Sequence, residues 1–405
     1  MAPARVGDAS VIDVAGLDEL IAVLSGRGYR TLGPVPRDGA IVRGAVSAAA
    51  DLPAGWHDEH APGSYRLHCD GGEELFGWAV GPQSWKPELF PPAETLWTAR
   101  PEAGGDGVTV EEVADPAPPL AIVGARPCEL AGITVLDRVL AEGAYADPRY
   151  AARRAAAFLV VAECGTPSAT CFCTSMGTGP GAPDGFDLAI TELRPSGAGL
   201  GGDGAPAGTP GAGGHRFVVR AGSKLGASVL DEIAHRPATA EEIHGRDAVL
   251  EGARSRMGRS LDTDGLPALL ARNLEHPRWA EVAERCLACG NCTMVCPTCF
   301  CSDVDDVTDL AGTTERRRHW ASCFDLQHSY LHGGPVRSST SSRYRQWATH
   351  KLSTWHDQFG TSGCVGCGRC IAWCPVGIDI TEEAAAIRAS DGQTAHSSPA
   401  GGGGT

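Results

Sequence analysis

No apolar run of about 18 to 20 residues, the length a membrane-crossing helix needs, occurs in the 405-residue chain. The stretch Met1 to Asp13 also lacks the basic-then-apolar pattern of a secretory leader. A cytoplasmic protein with no membrane contact is therefore expected. Positive charge is in short supply: 34 Lys and Arg stand against 49 Asp and Glu, a formal net charge of −15. Such a chain repels phosphate backbones, which argues against nucleic acid as a partner. Missing too are a G-x-G-x-x-G turn behind a strand and a Walker lysine loop, so nothing points to a nucleotide held by this chain. The glycines between 201 and 214 are low complexity.

Cysteine, by contrast, is abundant. Sixteen thiols are many for a reducing compartment, where disulfides are disfavoured, and they point to metal binding or redox work. Eleven of them lie between Cys286 and Cys374, and the first 280 residues hold only five. Two regions with different tasks follow, with a boundary near residue 255. In residues 1–255, apolar runs at Leu120 to Val123 and Phe158 to Ala162 alternate with helical patterns, which reads as an α/β partner-docking domain. One helix should start at Pro127 and present Leu130, Ile133, Leu136 and Leu140 on one face. A Gly-rich insertion near 196–214 and a tail at 390–405 are expected to be disordered.

Residues 256–389 carry the chemistry. CLACGNCTMVCP supplies Cys286, Cys289, Cys292 and Cys296, and CVGCGRCIAWCP supplies Cys364, Cys367, Cys370 and Cys374. Both fit C-x2-C-x2-C-x3-C-P, in which three thiolates wrap one cubane and the fourth cysteine ligates the other. Two [4Fe-4S] clusters are expected: one on Cys286, Cys289, Cys292 and Cys374, the other on Cys364, Cys367, Cys370 and Cys296. Structural zinc fits poorly, because zinc ribbons pair two C-x2-C knuckles around one ion. The 67 residues between the motifs read as helical, with Tyr344, Trp347, Ala348, Leu352 and Trp355 on one face before Gly360. The whole is then an α/β N-terminal domain followed by a mainly α-helical two-cluster ferredoxin domain. Four-cysteine clusters have no open iron site, so the domain should move electrons and not bind substrate; no catalytic residue is assigned.

The other features are more open. Cys128, Cys164, Cys171 and Cys173 could hold a further cluster or zinc, although inert buried thiols are the more ordinary explanation. Cys299, Cys301 and Cys323 are expected to pack near the clusters, and Cys69 to be a lone core thiol. The tetrapeptide TCFC occurs at Thr170 to Cys173 and again at Thr298 to Cys301. Arg316, Arg317, Arg318, Arg337, Arg343, Arg345 and Lys351 form either a solvated face or a docking surface for an acidic partner. The segment Gly81 to Pro92, with Trp85 and Lys86, reads as a surface loop.

The stretches LAIVGARPCELAGITVLD, TCFCTSMGTGP with FDLAITEL, and RYRQWATHKLSTWHDQFGTSGCVGCGRCIAWCPVGIDIT resemble the iron–sulfur beta subunit of cytoplasmic nickel–iron hydrogenases of the sulfhydrogenase type. They are also similar to the dicluster subunit of anaerobic sulfite reductase, a relative in the same family. The resemblance runs from about Tyr65 to Ile387, with Glu129 where the family carries aspartate. It implies a wire that links a flavin-containing NAD(P)-reductase subunit to nickel–iron hydrogenase subunits, or to a sirohaem sulfite reductase subunit. An autonomous flavin-containing oxidoreductase is the rival reading from another class.

Overall fold

The strands Leu120–Ala125 and Ala157–Ala162 are buried on both faces, which is why they read as continuous apolar runs without alternation. The structure, a computed structural model, describes residues 4–102, 107–114, 118–194 and 214–392. Segment 195–213, which holds nearly all of the expected disordered insertion, and the tail beyond 392 lie outside those residues.

Among the described residues, eight strands form one sheet in the order Arg236–Pro237, Ala9–Asp13, Arg216–Ala221, Leu188–Leu193, Ala157–Ala162, Leu120–Ala125, Arg30–Arg37, Ala40–Ala45. The strands from Leu188–Leu193 to Arg30–Arg37 run parallel, and antiparallel strands flank them. Successive side chains take opposite faces. Val123, Val160 and Ile190 pack with Leu17, Leu20 and Leu24 of the helix Val14–Gly26. Ile122, Leu159 and Val161 meet Leu130, Ile133 and Leu136 of the helix Pro127–Leu140, which starts at the expected proline.

The C-terminal part is helical only in part, and this corrects the expected mainly helical ferredoxin. Strands Ser302–Thr308 and Thr314–Trp320 form a hairpin that pairs with Ala93–Pro101, itself paired with Val108–Glu112. The hairpin has little apolar alternation to announce it. It is held by backbone pairing, by cross-strand pairs such as Asp306 with Arg316 at 2.6 Å, and by an Asp309 turn closed at Gly312. Its sheet joins residues on both sides of position 255.

The helix Thr340–Thr349 runs through one π turn, His350–Thr354, into Trp355–Phe359 and stops at Gly360, whose φ is +66°. The π turn inserts a residue into the helical register. Tyr344, Trp347, Ala348 and Leu352 therefore share one core, whereas Trp355 packs in another with Cys367. The first residues of the expected disordered tail are fixed: Asp391 accepts hydrogen bonds from Asn273 and Arg272, and Gly392 N–H donates to Asn273.

Candidate metal centre

Each cysteine loop turns on glycines with positive φ, +72° at Gly290, +64° at Gly366 and +74° at Gly368. At the second loop this freedom also allows close approach. A Cβ on Gly366 would lie 2.6 Å from the Phe172 carbonyl, and one on Gly368 would lie 2.5 Å from the Thr170 oxygen. Both copies of TCFC pack against this loop. Phe172 N–H donates to Gly366 O at 2.8 Å, and Thr298 Oγ1 donates to Gly363 O at 2.6 Å. The repetition in sequence thus corresponds to two supports for one loop.

Cys286, Cys289 and Cys292 line a single cavity together with Cys370 and Cys374 from the other motif. Tyr344 and Trp347 form its apolar wall. Cys296 leaves the first loop and lies against Lys351, whose Nζ donates to its Sγ at 3.2 Å and to Gly363 O, next to Cys364, at 3.0 Å. The fourth cysteine of each motif is therefore found beside the other motif.

Burial pushes the Cys292 thiol well up, and the neighbouring Cys323, Cys286, Cys374 and Cys289 push it further. Burial likewise raises Cys370, reinforced by Cys364, Cys367 and Cys296, and takes Cys364 up to about 12 against the pull of Lys351. Cys296 goes the other way, lowered by a hydrogen bond from Cys299 and then, against burial, by the Lys351 ammonium. Thiols crowded this way can ionise together only around a strongly positive group, so the donor set fits iron. Donors tell the same story. Tyr344 OH and Trp347 Nε1, in the cavity wall, are buried without a partner among the described residues, and sulfur acceptors of a bound cluster would satisfy them.

Among the described residues, no three His, Cys, Asp or Glu side chains stand close enough to hold one metal ion. Cys128 and Cys173 pack in an apolar cluster with Cys367, and Cys171 lies 3.1 Å from Ser168 Oγ. Burial raises all four of Cys128, Cys164, Cys171 and Cys173.

Three expectations need correcting. Cys69 is exposed, not in the core. Trp85 and Lys86 are buried, not on a surface loop. Lys86 Nζ sits 3.7 Å over the Trp320 ring and donates to Cys299 O at 2.9 Å, which spacing alone could not reveal across more than 200 residues. The basic residues between the motifs divide: Arg317 and the Arg316–Asp306 pair face solvent as expected, whereas Arg318 is paired with Glu94 and Asp147 and Lys351 is buried. Sequence reasoning also missed Arg369, inside the second motif. Its buried guanidinium pairs with Glu129 at 2.5 Å and donates to Gly81 O at 2.8 Å. No helix among the described residues is long and apolar enough to cross a membrane.

Residues 285–378 match the 4Fe-4S dicluster domain family. Sulfhydrogenase 2 subunit beta of Pyrococcus furiosus is 33% identical over 259 residues, covering 64% of this chain and 71% of that protein. No solved structure matches the chain. Two four-cysteine loops that suit iron, a 4Fe-4S dicluster domain and this relative together establish that the chain belongs to the family of iron–sulfur, electron-transferring beta subunits of sulfhydrogenases.

Proposed function

We propose that the chain relays single electrons through two [4Fe-4S] clusters, in the cytoplasm, between a flavin subunit that handles NAD(P)H and the nickel–iron subunits of a hydrogenase. Cys286, Cys289, Cys292 and Cys374 hold one cluster, and Cys364, Cys367, Cys370 and Cys296 the other. The observation that carries this reading is the exchange of fourth cysteines: Cys374 lines the cavity of the first loop, while Cys296 lies beside the second. Such an exchange brings the two clusters close enough for rapid one-electron transfer. When bound, the clusters supply one-electron redox chemistry. The chain's own part is to hold them, exclude water with Tyr344, Trp347 and Trp355, and dock the partners.

Anaerobic affinity purification from the native host tests the proposal. The expected preparation holds about eight iron and eight sulfide per chain, with stoichiometric nickel in one co-purifying subunit, flavin in another. Sirohaem without nickel would assign the chain to a sulfite reductase. Flavin bound to this chain alone, with no partner, would overturn the relay.

A further inference from the structure

Lys351 is a buried charge set against a cysteine of the first motif. Its side chain is buried, it sits in the π turn of its helix, and its Nζ has three neighbours: Cys296 Sγ at 3.2 Å, Thr298 Oγ1 at 3.1 Å and Gly363 O at 3.0 Å. Three contacts, at least two of them to oxygens that accept, match the three N–H donors of an ammonium and leave none for a carboxylate. No carboxylate therefore pairs with the ammonium, and the negative group it faces is the Cys296 sulfur. π turns are frequent at functional sites, and the lysine in this one meets a cysteine 55 residues earlier in the chain.

From this geometry we infer that Lys351 selectively raises the reduction potential of the cluster held by Cys364, Cys367, Cys370 and Cys296, making it the more easily reduced of the two. The inference rests on the two-cluster reading above. Reduction adds one electron from an external donor, and with it one negative charge, to a cluster core. The step as written moves an electron and no proton. A cation hydrogen-bonded to a ligand sulfur in a dry interior stabilises the added charge more than the original state. Lys86 adds a second buried cation on the same side, 2.9 Å from Cys299 O. The Arg369 guanidinium is also close but is paired with Glu129. The other site is walled by neutral donors, Tyr344 and Trp347, and its charged neighbour Arg343 is bonded to Phe324 O. Lys351 is thus a positioning residue for the electron, not a catalytic one.

The test is a dithionite titration followed by electron paramagnetic resonance on the full chain with its clusters, comparing the parent with Lys351→Met and Lys351→Arg. The expected result is that Lys351→Met moves one of two reduction waves to lower potential and leaves the other in place, while Lys351→Arg stays near the parent. Cys296→Ser should perturb the same wave. Unmoved waves, or an equal shift of both, would overturn the inference. Should Lys351→Met lose iron, Lys351→Gln keeps a donor without the charge, and a parent-like potential there would overturn it equally. Failure of the two-cluster reading would look different: the parent itself would show a single wave and too little iron.

Discussion

Arg369 stands between Gly368 and Cys370 in the second cysteine motif, yet its partner Glu129 lies 240 residues earlier. Glu129 also accepts from Trp85 Nε1 at 3.1 Å and from Arg126 N–H at 2.9 Å, so one carboxylate ties the start of the helix Pro127–Leu140 to a cluster loop. Both side chains are buried. Removing one partner of such a pair leaves a charge stranded, at a cost of about 3–5 kcal/mol, while replacing both costs less. Arg369→Met should therefore lower stability to urea by roughly that amount. The double variant with Glu129→Gln should recover part of the loss; a double variant as unstable as the sum of the singles would show that the pair does not act as a unit. From sequence, Glu129 stood out as a departure from the family's aspartate, but nothing local marks Arg369 as its partner. A pair so distant in the chain becomes visible only once the fold brings the helix and the loop together.

Among elements, the cysteine loops were legible because ligand spacing is local: four thiols at fixed intervals carry their own geometry. The π turn was not, since a 3.6-residue period extends smoothly from Tyr344 to Trp355 and the inserted residue shows only in which core Trp355 joins. The hairpin at Ser302–Thr308 and Thr314–Trp320 escaped for a different reason: the first strand is exposed throughout and has no buried face to leave a pattern. TCFC was visible as a repeat, but its use, bracing the loop around Gly366 and Gly363, depends on close backbone packing. That packing gives a sharp expectation. Gly366→Ala drives a Cβ to 2.6 Å from Phe172 at a φ of +64°, and should cost the second loop its cluster, read as lost iron and a lost resonance signal. Gly177→Ala has a similar φ, +68°, and open space around it, so it should keep its iron. Equal iron in both variants would mean that the contact with Phe172 yields freely.

For the molecule as a whole, the α/β character of the first part was readable because strands buried on both faces leave unbroken apolar runs. A boundary near 255 followed just as naturally from the change in cysteine density. Many connections nonetheless cross it, among them the sheet pairing of Thr314–Trp320 with Ala93–Pro101, the Arg369–Glu129 pair, Phe172 N–H to Gly366 O and Lys86 to Cys299 O. These four involve the second cysteine loop or the segment Cys299 to Trp320 between the motifs, whereas the cavity of the first loop is lined wholly by residues after 285. Dependence on the first part should therefore be unequal. A fragment of residues 256–392 is expected to bind the cluster of Cys286, Cys289, Cys292 and Cys374 better than the other, giving clearly less iron than the full chain and one dominant reduced signal. Co-expression with residues 1–255 should restore the second, because the missing backbone and carboxylate partners return with it. Full iron and two signals from the fragment alone would show that the ferredoxin part closes on its own ligands, and that the crossing contacts serve only to orient it toward its partners.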